Sequence, residues 1–270
     1  MATPQPLIDE LLALATALAL EAGALLAERQ PLVRELVGTK STPTDMVTEV
    51  DREAEALLVR RILAARPKDA ILGEEGANQP GTSGVRWVLD PLDGTTNYLY
   101  GYPAYAVSIG VEVDGVTVVG VVHDAARAET YAATLGGGAV IDGRRLAVSN
   151  EGRIPHALLG TGFGYDVEGR RKQAAVVATL LPQVRDIRRS GSAALDLCSV
   201  AAGRLDAYYE FGLNEWDRAA GMLIVQESGG LAEVSQGGFG LELNQASGPA
   251  LFRPLEALVR EAVATLGYGQ

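Results

Sequence analysis

Residues 87–97 read Trp87-Val88-Leu89-Asp90-Pro91-Leu92-Asp93-Gly94-Thr95-Thr96-Asn97. A short apolar run ends in two aspartates three positions apart, then a glycine and two hydroxyls. A buried strand keeps its side chains in the core, so carboxylates at its end are expected at the edge of the core and not inside it. Two carboxylates that close repel each other, and a bound cation or a raised pKa relieves the repulsion. Pro91 and Gly94 mark a tight turn. Gly94 and Thr95 offer backbone N–H groups at an expected helix start, which suits an anion. Carboxylates for a metal, N–H groups for an anion and a hydroxyl in one stretch point to metal-assisted phosphate-ester hydrolysis.

Composition narrows the chemistry. The chain has 270 residues, 47% of them hydrophobic and 21% charged, which is globular and large enough for one large domain or two closely packed ones. A net charge of -11 disfavours direct binding to nucleic acid or anionic lipid. Cys198 is the single cysteine and the histidines are His123 and His156 alone. An intrachain disulfide, a thiolate cluster and a His-rich zinc centre are therefore excluded. Any metal is held by carboxylates and carbonyls, which fits a hard ion such as Mg²⁺. The absence of disulfides fits a reducing cytoplasm. The apolar run Leu11 to Leu20 lies between Glu10 and Glu21 and is shorter than the roughly 20 residues a bilayer needs, so it reads as a buried helix.

Periodicity predicts helices over about 5–29, ended by the Gln30-Pro31 step, and over 47–65, with residues 38–45 a polar loop. Strands are predicted at 70–73 and 85–89. Asp114-Gly115 joins two more, at 104–113 and 116–123, as a hairpin. Further strands are expected at 129–134 and 145–148, giving residues 1–150 the texture of helices on one antiparallel sheet. Beyond 150, strands (156–160, 184–187, 207–209, 231–234) alternate with helices (169–181, 193–202, 217–227, 254–266). That alternation predicts a second, α/β layer over 151–270.

Six acidic positions stand out: Asp45, Asp51, Glu74, Asp90, Asp93 and Asp217. Asp45, Asp51 and Asp217 each have an ordinary reading as charges or caps at helix starts, and Glu74 as a solvated side chain. Asp90 and Asp93 resist such a reading. No Gly-x-Ser-x-Gly elbow and no Walker A pattern occur. Gly160-Thr161-Gly162-Phe163-Gly164-Tyr165 begins like a dinucleotide fingerprint, but Tyr165 stands where the third glycine is needed.

Four separated motifs carry a resemblance. Asp90-Pro91-Leu92-Asp93-Gly94-Thr95-Thr96-Asn97 resembles the first signature of the inositol monophosphatase family. Trp216-Asp217-Arg218-Ala219-Ala220-Gly221, followed by Glu227-Ser228-Gly229-Gly230, resembles the second. Asp45 to Asp51 and Gly73-Glu74-Glu75 match in order and spacing. The resemblance implies a layered αβαβα sandwich shared with fructose-1,6-bisphosphatase, an active site between residues 1–150 and 151–270, two or three Mg²⁺ ions, lithium sensitivity and a cytoplasmic homodimer. By the same resemblance, Glu74, Asp90 and the Leu92 carbonyl hold a first metal. Asp90, Asp93 and Asp217 hold a second, and a weaker third sits near Glu74. Thr95, hydrogen-bonded to Asp51, handles the attacking water, and Gly94 and Thr95 N–H groups hold the phosphate. Lys40 and Asp45 belong to a mobile loop over the metals.

For the substrate, Ala207-Tyr208-Tyr209-Glu210 is similar to the segment whose glutamate binds inositol hydroxyls, with Gly191, Ser192 and Ala193 lining the same pocket. Thr96 stands where histidinol-phosphate phosphatases often carry lysine. The expected reaction is hydrolysis of myo-inositol monophosphate. The alternatives are the same chemistry on histidinol phosphate, fructose 1,6-bisphosphate or NADP, and, from another class, a regulatory protein-interaction role with a vestigial metal site. Arg218 has no role assigned by its position.

Overall fold

The structure is a computed structural model that describes residues 3–36 and 43–267, without the side chains of 32–48. Along the chain it runs α1 (Gln5–Leu36), α2 (Pro43–Ala65), β1 (Ala70–Gly73), β2 (Asn78–Gln79), β3 (Val85–Asp93), α3 (Thr95–Tyr100), β4 (Ala106–Val113) and β5 (Val116–Asp124). There follow β6 (Glu129–Thr134), β7 (Gly138–Ile141), β8 (Arg144–Arg145), β9 (Leu158–Thr161), α4 (Val167–Leu180), β10 (Asp186–Arg188) and α5 (Ala193–Ala201). The remainder is β11 (Ala207–Phe211), α6 (Glu215–Glu227), β12 (Leu231–Gly238), β13 (Leu241–Ser247) and α7 (Pro249–Thr265).

Among the described residues, one sheet has the order β2-β1-β3-β4-β5-β6-β7-β8 and the other β10-β9-β11-β13-β12. Strand alternation sends the side chains of β4 and β5 to two different cores. Val107, Ile109, Val119 and Val121 meet Leu11, Leu18 and Leu26 of α1 and Leu58 of α2. Ala106 and Val122 turn the other way, toward α5 and α6, which also cover the second sheet through Tyr208, Ala232 and Ala246. A third core joins the far face of that sheet to α4 and α7. Three cores between five layers make the αβαβα sandwich.

Several boundaries differ from the sequence expectation. Helix α1 passes through Pro31 to Leu36 and does not end at Gln30-Pro31. The segment Gln5–Pro31 is long and apolar enough to cross a membrane by length and composition, which corrects the ten-residue reading. Its Leu11, Ala15, Leu18, Ala22 and Leu26 form one fully buried stripe against the sheet. Helix α2 starts at Pro43, within the expected loop, because proline is tolerated in a first helical turn. The run 145–148 is a strand only at Arg144–Arg145; Val148 leaves the ladder and its N–H donates to the Ser228 carbonyl at 3.2 Å.

Helix α6 approaches the first sheet closely because β4 and β5 carry glycines there. A Cβ on Gly120 would lie 2.7 Å from the Ala220 carbonyl oxygen, and one on Gly110 would lie 2.8 Å from the Ala219 Cβ. Gly120→Ala is expected to destabilise the protein by about 1–3 kcal/mol, because backbone has to move to admit a methyl group. Urea unfolding of the variant beside wild type measures this, and an unchanged midpoint contradicts the close contact.

Candidate active site

Strand pairing assembles the carboxylates. β1 runs parallel to β3, with Gly73 opposite Leu89. The next residues, Glu74 and Asp90, therefore emerge together, and the Glu74 N–H donates to the Leu89 carbonyl at 3.2 Å. The β3–β4 register then shifts between Asp90 and Asp93, so three residues of β3 advance against two of β4. That bulge carries Asp93 to the start of α3. Gly94 makes the turn at φ +94, where a Cβ would also meet the Ala104 carbonyl oxygen at 2.7 Å.

The aspartates lie within the core and not at its edge: Asp90 is 1% exposed, Asp93 9% and Asp51 2%. The strand itself continues through Asp93, which is why both are enclosed. Asp90 Oδ1 accepts from the Leu92 N–H at 3.0 Å, whereas Oδ2 has no partner. Asp93 Oδ2 accepts from the Ser192 hydroxyl at 2.6 Å and from the Ala194 N–H at 2.7 Å. Asp217 is not the N-cap of α6. Asn214 fills that position, and Asp217 Oδ2 accepts its N–H at 2.6 Å in a capping box.

Burial and mutual repulsion push these groups up together. Asp51 rises to about 9, through burial and then the Glu75 and Glu74 carboxylates. Asp217 rises to about 8, through burial and then Asp93. Glu74 rises to about 6, through burial and the Asp93 and Glu75 carboxylates. Asp90 is raised by burial and by Glu74, Asp93, Asp217 and Asp51. Burial also raises Asp93, against the bonds from Ser192 and Ala194.

Glu74, Asp90, Asp93 and Asp217 line one cleft of about 160 Å³ with Leu92, Gly94, Thr95, Gly191, Ser192, Ala193 and Glu210. No three His, Cys, Asp or Glu side chains among the described residues form a ready cage for an ion. The donor set nonetheless fits a hard divalent cation: all ligands would be oxygens, and Asp90 Oδ2 and Asp51 Oδ1 are buried without partners. The expected Thr95–Asp51 hydrogen bond does not form. The Thr95 hydroxyl instead donates to the Leu92 carbonyl at 3.1 Å, three residues back in the turn. Lys40 lies outside the described residues, as does the side chain of Asp45.

In the same cleft, Glu210 Oε2 accepts the Tyr208 hydroxyl, and Glu210 is pushed up to about 7 by burial. Gly162 leaves it room, since a Cβ there would lie 2.0 Å from Oε2. The Gly160–Tyr165 motif thus forms a cleft wall rather than a dinucleotide turn.

Sequence reasoning missed further participants. Arg189 lines the cleft with its guanidinium 5.9 Å from the Phe163 ring centroid. Glu55 accepts the N–H groups of Glu75 and Ala77, both at 2.9 Å, and so fastens the loop after Glu74. Its signal was its place four residues after Asp51, on the same helix face. Arg218 acquires a role: it bonds Glu242 at 2.7 Å and Asn244 at 2.9 Å, tying α6 to β13.

An αβαβα sandwich with acidic side chains gathered at the carboxyl end of β3 defines a class of layered phosphatases. Residues 7–261 match the Inositol monophosphatase family, and the chain belongs to that family. It is 50% identical over 236 residues to the Mycobacterium tuberculosis protein named inositol-1-monophosphatase SuhB, covering 83% of this chain and 81% of that one. It is 48% identical over 193 residues to a Pseudomonas aeruginosa protein named Nus factor SuhB, covering 69% and 71%. The solved structure of Mycobacterium tuberculosis SuhB superposes with a TM-score of 0.82 at 45% identity, over 97% of this chain and 98% of that one.

The raised carboxyls make stability depend on pH. In the folded metal-free protein Glu74, Asp217 and Asp51 keep protons up to about 6, 8 and 9. The unfolded chain loses those protons near pH 4, so folding stability falls as pH rises from about 5 to about 9. Thermal unfolding in EDTA should show a falling Tm across that range. Added Mg²⁺ should raise Tm more at the alkaline end, where fewer protons have to leave. A metal-free Tm that climbs with pH contradicts the buried cluster.

Proposed function

We propose that this chain is a Mg²⁺-dependent phosphomonoesterase that hydrolyses myo-inositol monophosphate to inositol and phosphate. The observation that carries the proposal is one cleft lined together by Glu74, Asp90, Asp93, Asp217 and Glu210. Family membership and relatives named inositol-1-monophosphatase support the substrate. Glu74, Asp90 and the Leu92 carbonyl would hold a first ion, and Asp90, Asp93 and Asp217 a second, with a weaker third near Glu74. Bound there, divalent cations offset the charge of the ester and lower the pKa of water.

The chain's own groups do the rest. Backbone N–H groups of Gly94 and Thr95 orient the phosphate. The Thr95 hydroxyl, turned from Leu92 toward Asp51, would pass its own proton to the ionised Asp51 carboxylate as it takes one from the attacking water, which leaves hydroxide to attack the phosphorus. Glu210 receives inositol hydroxyls beside the backbone of Gly191, Ser192 and Ala193; a polar acceptor of this kind rejects analogues that lack the hydroxyl. The division into 1–150 and 151–270 with the site between them, the homodimer, the lithium sensitivity and a cytoplasmic location belong to the same proposal. The separation of the two sheets, β1–β8 before residue 150 and β9–β13 after it, supports the division.

A second reading rests on the relatives named Nus factor, which suggest a role through a macromolecular partner. Phosphate release assayed with and without Mg²⁺ separates a working enzyme from a vestigial site. Asp93→Asn should abolish Mg²⁺-dependent turnover while leaving the circular dichroism spectrum intact; normal activity in that variant refutes the metal assignment. Glu210→Gln should lower kcat/KM for inositol monophosphate by about tenfold or more and spare a simple aryl phosphate. Equal losses on both remove its role in specificity, and histidinol phosphate, fructose 1,6-bisphosphate and NADP complete the comparison.

A further inference from the structure

The loop 189–194 is fastened at two points, to Asn97 and to Asp93. Asn97, in α3, donates its side-chain amide to the carbonyl of Ala104 at 2.7 Å and to that of Ser190 at 2.8 Å. Both partners are acceptors, so the orientation of the amide is set by its surroundings. Gly191, at φ +92, packs on the same group; a Cβ there would lie 2.8 Å from Asn97 Nδ2. One residue further, the Ser192 hydroxyl donates to Asp93 Oδ2 at 2.6 Å, and the Ala194 N–H reaches the same oxygen at 2.7 Å. A carboxylate oxygen that accepts two donors is held in place, and the other oxygen is thereby aimed.

The connections close a circuit. Asn97 follows Asp93 by four residues, so the segment that carries Asp93 also grips the loop that orients it. We infer that Asn97 and Ser192 are positioning residues that fix which oxygen Asp93 presents to a divalent cation. This inference rests on Asp93 being a metal ligand. It also reassigns the Ser192 hydroxyl, which is committed to Asp93 and to the N-terminus of α5, where it accepts the Leu195 N–H at 3.2 Å.

A purely structural role makes a different prediction. Losing a cap or a loop tether lowers the Tm of the metal-free protein but leaves cation affinity unchanged. The test is the full-length protein in EDTA titrated with MgCl₂, with Tm and phosphate release read at each concentration. Asn97→Ala and Ser192→Ala should each need about tenfold or more additional Mg²⁺ for half of the Tm rise. The double variant should be no worse than the weaker single one, since both act through one carboxylate. Wild-type Mg²⁺ midpoints with only a lower metal-free Tm overturn the inference, as does a double variant whose loss is the product of the two singles. If Asn97→Ala does not fold, the Mg²⁺ midpoint of Ser192→Ala decides by the same criterion. A wild type that Mg²⁺ leaves unchanged overturns the metal reading of Asp93 and the circuit with it.

Discussion

Like charge held inside a low-dielectric core is the constraint on which this structure turns. Asp90 is buried among Glu74, Asp93, Asp217 and Asp51, and each neighbour raises its pKa further. Such a group survives only if protons or cations occupy the cluster, or if donors are aimed at it. The protein supplies some donors: the Leu92 N–H for Asp90, Ser192 and Ala194 for Asp93, and the Asn214 N–H for Asp217. It leaves Asp90 Oδ2 and Asp51 Oδ1 with none. The deficit is local and lies where a dication would remove it.

Meeting that constraint dictates the scaffold. Glu74 reaches Asp90 because β1 joins β3 in parallel within an otherwise antiparallel sheet. Asp93 reaches the turn because of the bulge after Asp90. Asp217 arrives on α6, which can lie against β4 and β5 only where Gly110 and Gly120 present no side chain. Ser108 of β4 donates to the Trp216 carbonyl at 3.4 Å, and Arg86 of β3 pairs with Glu215 and Glu112, so the same strands also hold the first turn of α6. A helix wedged between two sheets thus receives its position from backbone proximity, and its carboxylate follows.

The sequence made part of this legible. Alternating apolar residues around Asp114-Gly115 and the long Ala/Leu stripe of α1 carry unambiguous periods, and both elements are present. The four motifs, read as a set, identified the family. β13 was illegible for a physical reason. It is interior in its sheet, between β11 and β12, yet Asn244, Gln245 and Ser247 are buried polar residues that break the apolar pattern. Their partners lie outside the strand, on two different helices: Arg218 of α6 for Asn244, and the Phe252 carbonyl of α7 for Gln245. The bond made by Ser192 was illegible for a related reason. Its position beside the cleft follows from the motif, but the destination of its hydroxyl, 99 residues away, does not. The Thr95 hydroxyl went the other way: a partner three residues back took the bond expected for distant Asp51.

The acidic cluster and Glu210 are held by different means, and one loop bears on both. Around Glu74, Asp90, Asp93 and Asp217 charge density is high, and the Ser192 hydroxyl and Ala194 N–H converge on Asp93. Glu210 is a single carboxylate held by Tyr208, and Gly162 gives it space. In the loop, the Ser190 hydroxyl donates to Asp196, which burial pushes up to about 8, while Ser192 reaches Asp93. Arg189, the cation of this loop, faces the cleft across Phe163. A displacement of residues 189–194 would therefore alter a candidate metal ligand and the substrate wall together. The facing wall, Gly162–Tyr165, is tied to both as well: Gly162 makes room for Glu210 and Phe163 lies under Arg189, while the Gly164 N–H donates to Gln173 of α4 and anchors the wall to the outer layer.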